Sequence, residues 1–203
     1  MALTYHNNNS ISNVTSFPQV PAGNPVLLST ATASGSSSIE FTSGIDSTYD
    51  IYQFEFINIY RGAGGAYFRV NFSTDGGSNY NVTKTTTAFI AYHDEGNTAT
   101  SLNYETGADL AQSTGYQSLT YDQSTDADSG ASGSLTLFNP SSTTYVKHFI
   151  SRSNSASGGI GFYYSTDLHV AGYCNTTSAV NAVRFIMNTG NISSGTIKMY
   201  GIK

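Results

Sequence analysis

Nucleophilic catalysis of the hydrolase kind needs a serine on a strained turn, and the Gly-x-Ser-x-Gly elbow that marks such a turn is absent from these 203 residues. Serine and aspartate are abundant, so a triad assembled in space stays open, but nothing in the spacing selects one. The four histidines, His6, His93, His148 and His169, are isolated from one another. Catalytic zinc is usually held by ligands at short spacing; neither His-x-His nor His-Glu-x-x-His occurs, so these rings read as surface or structural groups. His148 alternates with Val146 and Ile150, which puts it on their face as a half-buried, hydrogen-bonded ring. The lone Cys174 forms neither an internal disulfide nor a multi-cysteine metal site. Gly62-Ala-Gly-Gly65 lacks the third spaced glycine and the following helix of a phosphate cradle, and reads as a hairpin loop.

Weaker signals lie in the acidic loops. Asp122-Gln-Ser-Thr-Asp126-Ala-Asp128-Ser-Gly130 gathers carboxylates on one flexible stretch, as calcium prefers, but no glutamate closes the loop. Calcium is the one ion this sequence suggests, and no cofactor or metal residue is assigned. Glycoside hydrolysis needs two carboxylates across a cleft; Glu40, Glu55, Asp94, Glu95 and Glu105 are available, and nothing in their order selects a pair. The chain is therefore read as non-catalytic. Sugar binding is a stronger rival, because tyrosines at loop tips stack on pyranose rings while Asn and Asp bond hydroxyls. Phe162, Tyr163 and Tyr164, just after Ser157-Gly-Gly-Ile-Gly161, are the candidate ligand or receptor contacts. The competing reading puts alternate members of this run in the core and the rest in a subunit interface.

The elements that must position these groups are strands. Short runs rich in β-branched and aromatic residues recur between Gly, Ser, Asn and Asp clusters from Pro25 onward, the pattern of an all-β sandwich or barrel. Tyr52, Phe54 and Phe56 alternate with Gln53 and Glu55, so the aromatic set faces a core. After Phe56 the apolar phase slips to Ile57 and Ile59, which predicts a bulge or a stretch covered on both faces. Phe68, Val70 and Phe72 alternate with Arg69 and Asn71, and Asp75-Gly-Gly-Ser-Asn79 turns the chain into a hairpin toward Tyr80. Further strands are expected near 26–33, 37–43, 87–93, 115–121, 133–139, 143–151, 160–173, 181–188 and 195–202. Loops are expected at 61–66, 94–103, 122–133 and 152–161, where partner contacts concentrate. The only helical candidate, Glu105 to Gln112, is short. A single domain over 25–203 with a jelly-roll-like sandwich accounts for this many strands.

Residues 1–24 differ from the rest. Asn7, Asn8 and Asn9 run together, and Pro18 and Pro21 fix φ and remove donors, so an extended arm is expected. Its isolated apolar residues Leu3, Tyr5, Ile11, Val14, Phe17 and Val20 are candidate anchors for a neighbour's grooves. A floppy terminus is the competing reading.

Composition narrows the partners. Charged residues are 10% of the chain, against roughly 25% in ordinary soluble domains, and Ser, Thr, Asn and Gly supply the polar surface. That suits a protein packed against other subunits or working outside a cell. The 8 basic residues are scattered and the net charge is −5, so a phosphate-tracking surface for nucleic acid is not expected. No run approaches the ~18 apolar residues of a membrane span, and the first residues lack the pattern of a signal peptide. Synthesis in a host cytoplasm without general export is the expectation. Six Asn-x-Ser/Thr sequons follow from the composition and carry no weight.

Ser38-Ile-Glu-Phe-Thr-Ser-Gly-Ile-Asp-Ser-Thr-Tyr-Asp50 followed by Tyr52-Gln-Phe-Glu-Phe-Ile-Asn-Ile59 resembles a module of virion proteins from marine and cyanobacterial tailed phages. Ser73-Thr-Asp-Gly-Gly-Ser-Asn-Tyr80 and Ser194-Gly-Thr-Ile-Lys-Met-Tyr-Gly-Ile202 are similar to the same uncharacterised family, over about residues 25–203. The resemblance implies a β-sandwich displayed on the particle, as a capsid decoration, cement or fibre protein or a tail appendage. It implies no catalytic residues. The expected function is that of a non-catalytic virion structural protein located in the virion and attached through its arm to other capsid or tail proteins. It is expected to associate with itself as a homotrimer, since symmetry hides edge strands and aromatic patches. The alternative is a module of a tail fibre that binds a host receptor or carbohydrate, a host surface glycan being its partner.

Overall fold

The computed structural model describes residues 23–62, 65–124, 126, 128–158 and 163–203. Alternation of apolar and polar residues leaves the chain only one way to bury its aromatic rings, as paired sheets, and thirteen strands form. They are β1 (Val26–Ser36), β2 (Ile39–Phe41), β3 (Ile51–Tyr60), β4 (Phe68–Ser73), β5 (Lys84–Asp94), β6 (Thr100–Tyr104) and β7 (Leu110–Ser113), followed by β8 (Gln117–Ser118), β9 (Ala131–Phe138), β10 (Lys147–Ser157), β11 (Tyr164–Cys174), β12 (Ala182–Met187) and β13 (Ile192–Ile202). All pairings are antiparallel. A nine-stranded sheet runs β1-β13-β3-β9-β10-β11-β5-β6, with β7 also on β5, and a four-stranded sheet runs β2-β12-β4-β8.

This is a jelly roll with insertions. Taking β1, β2, β3, β4, β8, β9, β12 and β13 as its eight strands, the chain passes between two four-stranded rows, β1-β13-β3-β9 and β2-β12-β4-β8, at every step but that from β4 to β8. The inserted strands β10, β11, β5 and β6 then widen the first row beyond β9, with β7 also on β5. Between the rows, Phe185 of β12 is the hub of an aromatic cluster. Its ring centroid lies 5.5 Å from those of Phe54, Phe56 and Phe68, stacked on Phe68, and 6.2 Å from that of Phe41. Tyr52, Phe54, Phe68, Phe72 and Phe149 are fully buried in the same core.

The slip after Phe56 is a bulge. β3 carries one extra residue between Phe56 and Ile59 against β9, and again between Ile57 and Tyr60 against β13, with Asn58 at φ 51°. Ile57 is turned outward and Ile59 is fully buried. Opposite the bulge stands Gly195 at φ 122°, where a β-carbon would lie 2.7 Å from the Asn58 carbonyl oxygen. Only glycine fits there.

Several expectations are corrected. Asp75-Gly76-Gly77 does turn the chain, but β4 does not form a hairpin with the next strand. One backbone bond returns, Val82 N to Phe72 O at 3.5 Å, and β5 then leaves for the other sheet. Residues 61–66 likewise link two sheets instead of closing a hairpin, since β3 and β4 belong to different rows. The expected helix Glu105–Gln112 is instead a turn at 105–108, closed by Ala108 N on Glu105 O at 3.1 Å, followed by the start of β7; no helix occurs among the described residues. Part of the expected loop 94–103 is β6, and β10 runs on to Ser157 through the expected loop at 152–161. His148 is exposed, beside Tyr173, because Phe149 claims the core side of β10 and carries Lys147 inward with it.

Candidate functional site

Tyr163 and Tyr164 reach the surface where β11 begins, and the in-register partner of Tyr164 on β5 is Asp94. Asp94 shapes the following turn. Its carboxylate accepts from the backbone amides of Thr98 and Ala99, both at 2.8 Å, and its amide donates to the Ala99 carbonyl at 3.1 Å. The Thr98 hydroxyl, which also donates to this carboxylate, and then these amide bonds hold the Asp94 carboxyl below the usual range. Asn97 sits in this turn at φ 53°, its side chain 3.2 Å from His93 Nε2. The Glu95 amide then donates to the Tyr163 carbonyl at 3.0 Å, which pins the tyrosine pair to the β5 turn.

On the other side lies the acidic loop. Ser129 Oγ donates to the carbonyls of Asp126 at 2.7 Å and Ser124 at 3.0 Å, and Ser124 N donates to Ala156 O of β10 at 3.0 Å. The Tyr163 hydroxyl bonds Asp126, whose charge pushes the phenol pKa up, with Glu95 and Asp128 adding to it. Together these segments wall an open cleft of about 510 Å³, lined chiefly by His93, Glu95, Asp126, Asp128, Asn154, Tyr163 and Tyr164. A second cavity of about 310 Å³ shares Tyr164 and adds Tyr92, Tyr121 and Asp122. Tyr92 meets Tyr164 edge-on at 5.5 Å, and Tyr121 meets Tyr67 edge-on at 6.0 Å.

The fold therefore brings together two signals that lie far apart in the sequence, the tyrosines after 162 and the carboxylates of 122–130. It separates Glu40, which pairs with Arg184 at 2.9 Å, and Glu55 on the outer face of β3, from this cleft. Among the described residues no group of three or more His, Cys, Asp or Glu side chains is placed to hold a metal ion. Asp122 lines the neighbouring cavity, away from Asp126 and Asp128. Phe162 and the arm residues Leu3, Tyr5, Ile11, Val14, Phe17 and Val20 lie outside the described residues.

Asn154 and Tyr92 escaped the sequence reading. Their signal was present in part: Ser151, Ser153, Ser155 and Ser157 recur at every second position, which marks a strand and aims Asn154 to the opposite face. These serines are buried on the inner face. Ser151 Oγ donates to the Ser134 carbonyl at 2.8 Å, Ser153 Oγ donates to the Leu119 carbonyl, and Ser155 and Ser157 bond Thr166. An aromatic ring flanked by carboxylates and an amide offers stacking and hydrogen bonds to a hydroxyl-rich ligand. The sequence matches no protein-family model, no curated protein and no solved structure.

Proposed function

We propose that the chain is a non-catalytic structural protein of a tailed-phage particle, displayed as a rigid jelly roll and attached through residues 1–24. The observation that carries this reading is how the body is sealed. Apart from Lys84 and Lys147, the inward-facing polar positions are filled chiefly by hydroxyls and amides, as in the Ser151–Ser157 row with Thr166 and in Gln117, which bonds Thr86 Oγ1 and the carbonyls of Ala108 and Ser118. Such a domain needs neither disulfide nor metal to be rigid, and its 10% of charged residues fits a subunit packed among others. The resemblance of the 38–59, 73–80 and 194–202 segments to phage virion modules supports the same reading. Removing residues 1–24 is expected to leave the domain folded and to abolish incorporation into particles. Normal incorporation of the truncated chain would contradict the anchoring role.

A second reading is favoured by the cleft at the head of β11: recognition of a host-surface glycan. Tyr163 and Tyr164 supply ring faces, and Asn154, Asp126 and Asp128 supply hydrogen-bonding groups around them. Titration of the purified chain with neutral oligosaccharides, followed by calorimetry, tests it. No heat at millimolar sugar would remove it.

A further inference from the structure

The two sheets treat their outer faces differently. On the four-stranded sheet the chain covers its own surface: Asn71 and Ser73 of β4, which point away from the core, are fully buried. Asn71 Nδ2 donates to the carbonyls of Tyr80 at 2.7 Å and Thr114 at 3.0 Å, within the segments that lie over it. Among the described residues the nine-stranded sheet has no such cover on the strands the insertions add. Phe89 of β5 is 45% exposed, Ile150 of β10 52%, and Tyr104 and Leu102 of β6 54% and 70%.

These residues form one patch. The register sets Tyr104 beside Phe89, Phe89 beside His169 and His169 beside Arg152, in a row across four strands. The neighbouring rows are Leu102, Ala91, Asp167 and Asn154 on one side, and Thr87, Ala171 and Ile150 on the other. Phe89 and His169 stack with centroids 4.6 Å apart. Four large exposed apolar side chains, Phe89, Leu102, Tyr104 and Ile150, gathered on one sheet face mark an interaction site.

We propose that this face, from β6 across β5, β11 and β10 to β9 and β3, packs against a second copy of the chain. The inference rests on the reading of the protein as a self-assembling particle subunit and names the surface used.

Charge and size argue for a copy of the same chain. The patch's formal charges cancel within it, since Arg152 holds Asp167 at 2.7 Å through a two-pronged contact. At its far edge Glu55 of β3 is faced by its register partner Lys198 on β13, the strand just beyond. A face that is electrically closed gives a charged partner nothing to select, and it meets itself without like-charge repulsion. Six strands spaced about 4.8 Å apart, over about seven residues at about 3.4 Å each, give a footprint of roughly 700 Å². That is close to the ~800 Å² each partner contributes to a standard stable interface.

Sedimentation velocity on the full chain, over a concentration series spanning the micromolar range, reads the result. The wild type is expected to sediment as an oligomer of the 21.6 kDa chain. Phe89→Lys and Ile150→Lys are expected to raise the dissociation constant at least tenfold, while Tyr145→Lys, a still more exposed aromatic away from the patch, leaves it unchanged. Circular dichroism checks folding, and Phe89→Ser with Ile150→Thr replaces any variant that fails it. A wild type that stays monomeric throughout, or an oligomer that ignores both patch substitutions, overturns the proposal. A monomeric chain still found on particles would remove this inference alone; an oligomer absent from particles would remove the particle reading alone.

Discussion

The ammonium of Lys84 donates to Asn71 Oδ1 at 2.6 Å in the fully buried base of β5, and its second acceptor is the Val82 carbonyl at 2.7 Å. No carboxylate pairs with it among the described residues. The register places Cys174 of β11 directly between Lys84 and Lys147 of β10. Burial without a counter-ion lowers the Lys84 pKa to about 8 and pushes that of the Cys174 thiol up to about 12.

These two groups give stability a defined pH profile. Between about 8 and the ordinary lysine value of 10.5, the unfolded chain binds more protons at Lys84 than the folded one, so stability rises with pH. Above the ordinary thiol value of 9.0 the unfolded chain ionises at Cys174 while the folded one does not, which opposes the rise. Urea melts should therefore show stability climbing from pH 8 to 9 and then levelling. In a Cys174→Ala background the climb should continue toward pH 10.5, approaching about 3 kcal/mol at about 1.4 kcal/mol per pH unit. Lys84→Met should remove most of the climb, leaving the share of Lys147, whose pKa burial also lowers.

Phe185 joins four rings from three other strands, so its loss strikes both sheets at once. Phe185→Ala is expected to cost about 3–5 kcal/mol in equilibrium unfolding, against less than about 1.5 kcal/mol for a volume-conserving change such as Phe185→Met.

The bulge of β3 and Gly195 are a matched pair. Gly195→Ala sets a β-carbon against the Asn58 carbonyl and the Ile59 Cα at 2.7 and 2.8 Å, in a backbone region that side chains disfavour. A destabilisation of more than about 2 kcal/mol is expected. Gly190→Ala, where the added carbon meets open space at φ 72°, should cost less, and the difference between the two isolates the collision.

In the cleft, Tyr163→Ala is expected to weaken any glycan that binds there about tenfold, the loss of one stacking contact of about 1–1.5 kcal/mol. The melting temperature should barely change, because the ring meets the surface, its hydroxyl is held by Asp126, and the backbone bond from Glu95 survives the substitution.

What the sequence disclosed followed from the period of two. Tyr52, Phe54, Phe56, Phe68, Val70 and Phe72 announce their strands and their facing, and the phase slip at Ile57 announces the bulge. Pairing partners did not follow, because a jelly roll joins strands far apart in the chain: β1 to β13, β4 to β12. The Asp75–Asn79 turn looked like a hairpin because local chemistry cannot say which sheet the chain enters next. The burial of Lys84 and Lys147 did not follow either, because Ala88 and Phe149 fix the phase of their strands and carry the lysines inside. At the cleft, Tyr163 and Tyr164 were legible as exposed aromatics after a glycine-rich loop, while their meeting with Asp126 and Glu95 is a product of β11 pairing with β5.

The central claim is that this jelly roll is a component of a particle. Particles from a lysate containing the chain, banded by density and analysed by peptide mass spectrometry, test it most directly. The account predicts that its peptides band with the particles at a constant ratio to the major capsid or tail protein and resist a high-salt wash. Recovery of the chain wholly in the soluble fraction, with none in the particle band, would contradict it.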